Sequence, residues 1–165
     1  MSWIESASAG TPWEAVLGQR PELLARYRDF YRTLWDDALV PRRVLELCRL
    51  RIASIHGCNQ EWVIRDAEVA LNGAELGALE QGDFSAFSPE EQVALTVAEQ
   101  IPYAHHQITD AEVAELNRAL GSPAAVALLT ALAFFDVTCR LKLVLDVDEL
   151  PTELSEPPLH EGALV

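Results

Sequence analysis

Between Glu46 and Gly73 the chain reads ELCRLRIASIHGCNQEWVIRDAEVALNG, and that stretch holds most of the side chains able to do chemistry. Cys58 follows the turn signal His56-Gly57 and opens a helix. A thiol at a helix N-terminus can have a depressed pKa and act as a nucleophile. Nearby Glu61 opposes that by like-charge repulsion. Glu46 or Glu61 could deliver or accept a proton if burial raises its pKa, and His56 is a further candidate shuttle. Arg51 and Arg65 could hold anionic groups through paired hydrogen bonds. In a continuous helix from about Cys58 to Leu71, the positions of Cys58, Glu61 and Arg65 (i, i+3, i+7) line one face, with Trp62 flanking them. The catalytic candidates are Glu46, His56, Cys58 and Glu61. The substrate-binding candidates are Arg51, Trp62 and Arg65.

Each candidate also has a plain structural reading. Glu61–Arg65 and Arg42–Glu46 are i,i+4 pairs, and Glu46–Arg49 is an i,i+3 pair. Cys58 can be an inert buried thiol, and Cys48 and Cys139, on apolar helices, read as core. A Cys48–Cys58 bridge is conceivable because their helices are adjacent in the chain, but nothing specifies it.

The elements that position these residues are all helical. Thr11-Pro12 caps a short helix that ends near Gly18. Pro21 starts a longer one, whose aromatic stripe (Tyr27, Phe30, Tyr31, Trp35) reads as core or subunit contact rather than a ligand box. Pro41 opens the third helix, and Asn72-Gly73 reads as the stop of the fourth. A short helix is expected over Ala74 to Glu80. Ser88-Pro89-Glu90-Glu91 starts the next, which ends near Pro102–His106; Thr109 to Glu112 is a capping box for another, ending at Gly121. Ser122-Pro123 caps the last helix, from Ala124 to about Val147. It is apolar almost all round as far as Phe135, which predicts a central buried helix or a subunit interface. No segment shows a useful strand period. The expected organisation is a loose N-terminal arm at 1–10, one helical domain at 11–150, and an extended acidic, proline-containing tail at 151–165.

The 165 residues suffice for one domain with a real core. The net charge of -14 argues against nucleic acid and anionic membranes as partners. Nine of the twelve basic residues lie at or before Arg65, so an anionic ligand is expected to be held by the first half, unless those arginines simply pair with nearby acids. Three cysteines do not make a secreted disulfide framework, the N-terminus lacks a basic signal-peptide region, and the apolar run Ala124 to Phe135 is too short to span a bilayer. A cytoplasmic protein is expected. His105-His106 lacks supporting ligands, so no metal site is expected.

The order of segments RPELLARYRDFY, PRRVLELCRLRIASIHGC, a helix ending in NG, FSPEEQVALTVAEQI, ITDAEVAELNRALG and a long apolar helix resembles the carboxymuconolactone decarboxylase-like proteins. That family includes the alkyl hydroperoxide reductase D-type peroxidases. The resemblance covers about residues 12–147, and its most specific part is the eleven-residue spacing between Glu46 and Cys58. It implies an all-α fold, an alkyl hydroperoxide reductase D-like bundle around an antiparallel helix pair, assembled as a dimer, trimer or hexamer. The family's redox branch carries Cys-x-x-Cys with a Glu and a His. Cys58 matches the first cysteine and Glu46 the glutamate; Glu61 stands where the second cysteine would be, and Arg65 where the His would be. The decarboxylase branch needs no disulfide. The leading expectation is therefore a cofactor-free lyase, decarboxylase or isomerase acting on a small anionic lactone or cyclic acid. Its pocket would be roofed by Trp62 and aromatic residues of a neighbouring subunit. The alternatives are a single-cysteine thiol peroxidase that borrows an external thiol, and a non-catalytic oligomeric binding module.

Overall fold

A computed structural model describes residues 11–35 and 39–147. The expected arm (1–10), the tail (151–165) and the domain's end at 148–150 lie outside the described residues. Among these the chain is all-α: α1 (Pro12–Leu17), α2 (Pro21–Leu34), α3 (Arg42–His56), α4 (Asn59–Val63), α5 (Gly73–Gln81), α6 (Pro89–Ala104), a 3-10 turn (His105–Gln107), α7 (Asp110–Leu120) and α8 (Ser122–Val144). The helix starts follow side-chain chemistry. Thr11 with Glu14, Ser88 with Glu91 and Thr109 with Glu112 form reciprocal capping boxes, so the first backbone N–H groups are satisfied.

The central helix is α3, not the last one. Every residue from Val44 to Ala53 is buried, and α3 packs against α6 and α8. By contrast, α8 buries Leu128, Leu132, Phe135 and Cys139 on one side and leaves Val126, Val137 and Val144 exposed on the other. Running on to Val144, α8 reaches 23 residues and is long and apolar enough to cross a membrane by length and composition; here its buried side walls the core.

Polar residues on a helix buried all round must be paired, and the arginines of α3 are. Arg42 holds Asp66 at 2.6 Å. Arg43 clamps Glu75 at 2.5 Å and Glu91 at 2.7 Å, the capping-box glutamates of α5 and α6. Arg51 binds Glu99 of α6 and donates to the Leu79 and Glu80 carbonyls at 2.7 and 3.0 Å, near the C-terminal end of α5. The arginines of α3 are thus committed to the protein's own acids rather than left for an anionic ligand.

The expected long fourth helix is a correction. It ends at Val63, and the chain from Ile64 to Leu71 is irregular. Its residues read as helix formers, but α3 fixes that backbone in another shape. Arg49 donates to the Ile64 carbonyl at 2.7 Å, Glu46 accepts from the Asp66 N–H at 3.1 Å, and Arg43 donates to the Ala70 carbonyl at 3.1 Å. These tertiary bonds override a weak local propensity. Asn72 does not stop α4; it caps α5, accepting from the N–H groups of Ala74 and Glu75.

Candidate functional site

The α3–α4 joint is built on Gly57. Its φ of 62° is left-handed, a conformation open to glycine without steric cost, and it turns the chain so that Cys58 begins α4. Cys58 is fully buried and Glu61 is 7% exposed, so both look inward as expected. Glu46 is also fully buried, which makes it a core group rather than a surface ion-pair member.

A four-charge network runs through this core. Arg49 forms paired hydrogen bonds to Glu46, both 2.8 Å, and a further one to Glu61 at 2.8 Å. Lys142 of α8 binds the other oxygen of Glu61. Burial pushes the Glu61 carboxyl up, but Lys142 and Arg49 outweigh it and hold the pKa at about 2. Glu61 is therefore a fixed anion, unsuited to donating a proton near neutrality. Over the pair lies Trp13 of α1, with Lys142 Nζ 5.7 Å from its ring centre. Trp13 also packs with Val16 and Val147 in a cluster separate from the main core.

Cys58 and Cys139 of α8 lie buried in the same core cluster. The neighbouring Cys139 is the largest cause holding the Cys58 thiol below the ordinary value; burial pushes it up, and the Glu61 backbone N–H pulls it further down. Cys139 is pushed far up by the neighbouring Cys58, by burial and by the Glu61 charge. Burial likewise pushes Cys48 up. All three cysteines are free. Cys58 Sγ also lies 3.6 Å from Gln60 Oε1, and Gln60 Nε2 donates to the Val147 carbonyl at 2.6 Å.

Other candidates stand apart from this centre. Because α4 stops at Val63, Arg65 is not on one helical face with Cys58 and Glu61. Its guanidinium lies 5.0 Å from the Trp62 ring centre and donates to the Ile64 carbonyl at 3.0 Å. The anticipated Glu61–Arg65 pair is replaced by Glu61 with Arg49 and Lys142, and Arg42–Glu46 by Arg42–Asp66; Glu46–Arg49 forms. Trp62 supports Arg65, while the roof over Glu61 is Trp13 of the same chain. Arg51 is occupied by Glu99 and α5. His56 joins a second polar group: its Nε2 is 2.6 Å from Asp136 Oδ1, and Tyr103 Oη is 3.0 Å from its Nδ1. Arg140 donates to the same Asp136 at 3.0 Å.

Sequence reasoning missed Arg49, Lys142 and the role of Cys139. One signal was visible: Lys142 is the chain's single lysine, set in an apolar helix. A lone cation there needs a buried anion. Among the described residues no cluster of three or more His, Cys, Asp or Glu could hold a metal ion. In comparisons with known proteins, no family model, no curated protein and no solved structure matches the chain.

Proposed function

We propose that this protein is a thiol redox enzyme of the carboxymuconolactone decarboxylase-like family, in its alkyl hydroperoxide reductase D-type branch, with Cys58 as the nucleophile toward a hydroperoxide. The all-α architecture around α3 and the spacing of Glu46 and Cys58 support the family reading. One arrangement carries the chemistry: Cys58 stands at the start of α4 in one buried cluster with Cys139, and of the three cysteines its thiol alone is held low, with Cys139 as the largest cause. A thiolate is the attacking form. Its sulfur attacks the outer peroxide oxygen, the O–O bond breaks, and the leaving alkoxide takes a proton from solvent. The products are an alcohol and a Cys58 sulfenic acid.

The cofactor-free lyase reading has less support. It needs a free cation for a carboxylate and an acid to protonate carbon. Arg49 and Arg51 are committed to internal acids, Arg65 rests on Trp62 and the Ile64 carbonyl away from Cys58 and Glu61, and Glu61 stays ionised. Homo-oligomeric assembly belongs to the proposed reading, with the exposed Val126, Val137 and Val144 of α8 as its support.

Single-turnover consumption of tert-butyl hydroperoxide by reduced protein tests the proposal. Wild type should consume an equivalent per chain, and Cys58→Ser should fall to the buffer rate. No consumption by folded wild type, or equal consumption by Cys58→Ser, would overturn it.

A further inference from the structure

Cys58 caps α4 and Glu61 lies in its first turn, while Cys139 and Lys142 lie one turn apart on α8. Cys58 and Glu61 are three apart, and so are Cys139 and Lys142. Residues three apart on a helix share a face. Lys142 binds Glu61, and Cys58 and Cys139, each three residues before, are buried in one core cluster, so the ion pair fixes where the second thiol stands. Glu61 occupies the position at which a Cys-x-x-Cys motif would carry its second sulfur. Here it instead holds the lysine that brings a sulfur in from another helix.

We infer that Cys139 is the resolving thiol for Cys58, and that the oxidised enzyme carries an internal Cys58–Cys139 disulfide joining α4 to α8. This rests on the proposed reactivity of Cys58 and adds its partner. The steps balance. A hydroperoxide oxidises the Cys58 thiolate to a sulfenic acid, releasing an alcohol. The Cys139 sulfur then attacks the Cys58 sulfur; the S–O bond breaks, the S–S bond forms, and hydroxide leaves with the Cys139 proton as water. An external dithiol returns both residues to thiols and becomes a disulfide itself.

The environment sets the order of events. The largest cause holding the Cys139 proton in place is the neighbouring Cys58 thiolate. Once Cys58 is a neutral sulfenic acid, that cause is gone and Cys139 loses its proton more readily. Lys142, beside both sulfurs, favours the thiolate on either. The remaining movement is to the bonded S–S length of about 2.05 Å.

The experiment treats reduced full-length protein with an equivalent of tert-butyl hydroperoxide, then denatures, alkylates and digests it. Wild type should lose two hydrogens in mass per chain and yield a linked Cys58–Cys139 peptide. Cys139→Ser should stop at a Cys58 sulfenic acid trapped by dimedone, and Lys142→Met should slow linkage without blocking trapping. If that serine variant fails to fold, the wild-type linkage map still decides. Wild type that accumulates Cys58 sulfenic acid with Cys139 freely alkylated overturns this inference and leaves Cys58 as the nucleophile. So does linkage of Cys58 to Cys48. Oxidation of neither Cys58 nor Cys139 overturns both readings.

Discussion

Lys142 reaches from α8 to Glu61 of α4 across 81 positions of sequence, and the two side chains close a buried ion pair. Removing Lys142 leaves Glu61 buried with Arg49 as its remaining cation and one carboxylate oxygen without its charged donor. Lys142→Met should lower unfolding free energy by about 1–3 kcal/mol. Adding Glu61→Gln should recover part of the loss, since no full charge is then left facing the new methyl group. Urea denaturation of both variants checks the direction and the recovery.

The same pair gives acid sensitivity of defined sign. Glu61 is at about 2 in the folded protein, below its unfolded value of 4.5. Its contribution to stability is full above the unfolded value and is lost as pH falls from there through about 2. Unfolding free energy should therefore decline over that window. In Lys142→Met the folded value lies closer to the unfolded one, so the decline from this group should begin at the same pH, end at a higher pH and be smaller in total.

Arg51 and Arg65 should separate cleanly. Arg51 holds two helices, α5 and α6, through Glu99 and the Leu79 and Glu80 carbonyls. Arg51→Ala should destabilise by about 2 kcal/mol, the loss of charge-assisted hydrogen bonds with carbonyls left dry. Arg65 rests on Trp62 and the Ile64 carbonyl. Arg65→Ala should cost about 1 kcal/mol or less and leave hydroperoxide consumption unchanged. Melting curves and single-turnover assays on the two variants check this; loss of hydroperoxide consumption by folded Arg65→Ala would contradict it.

Trp13 covers Lys142 from a helix held by its own small cluster and by the Glu14–Arg28 pair at 2.6 Å. Buried Trp13 Nε1 and Tyr27 Oη have no well-formed hydrogen bond there, which weakens the seam. Trp13→Ala should speed alkylation of Cys58 several-fold and leave Cys48 as slow as before. Site-resolved mass spectrometry of the native protein over time measures both.

Much of the helical layout was legible, because turn and cap chemistry is local. Pro21, Pro41, Ser88 and Thr109 mark starts, and Gly57 marks a turn; Ser122 begins α8 without capping it, since its hydroxyl donates to Asn117 Oδ1 at 2.7 Å. The end of α4 was not, because it depends on Arg49, Glu46 and Arg43 binding the backbone beyond Val63. Local spacing was also misleading for ion pairs. Glu61 has a well-placed arginine four residues on, yet binds Arg49 and Lys142 from other helices. Cys58, Glu46 and Glu61 could be selected from the chain alone, as inward groups. Cys139 could not be joined to them, since its partner lies 81 positions earlier and only the α4–α8 register brings the two together.

The most direct test is a thiolate titration by ultraviolet absorbance in wild type, Cys58→Ser and Cys139→Ala, which needs no reagent to enter the core. Wild type should show a thiolate forming below the ordinary value of about 8.5. That signal should vanish in Cys58→Ser and move upward in Cys139→Ala, where the neighbour that holds it down is gone. A wild-type thiol that titrates at or above the ordinary value, or a low signal that persists in Cys58→Ser, would contradict the account.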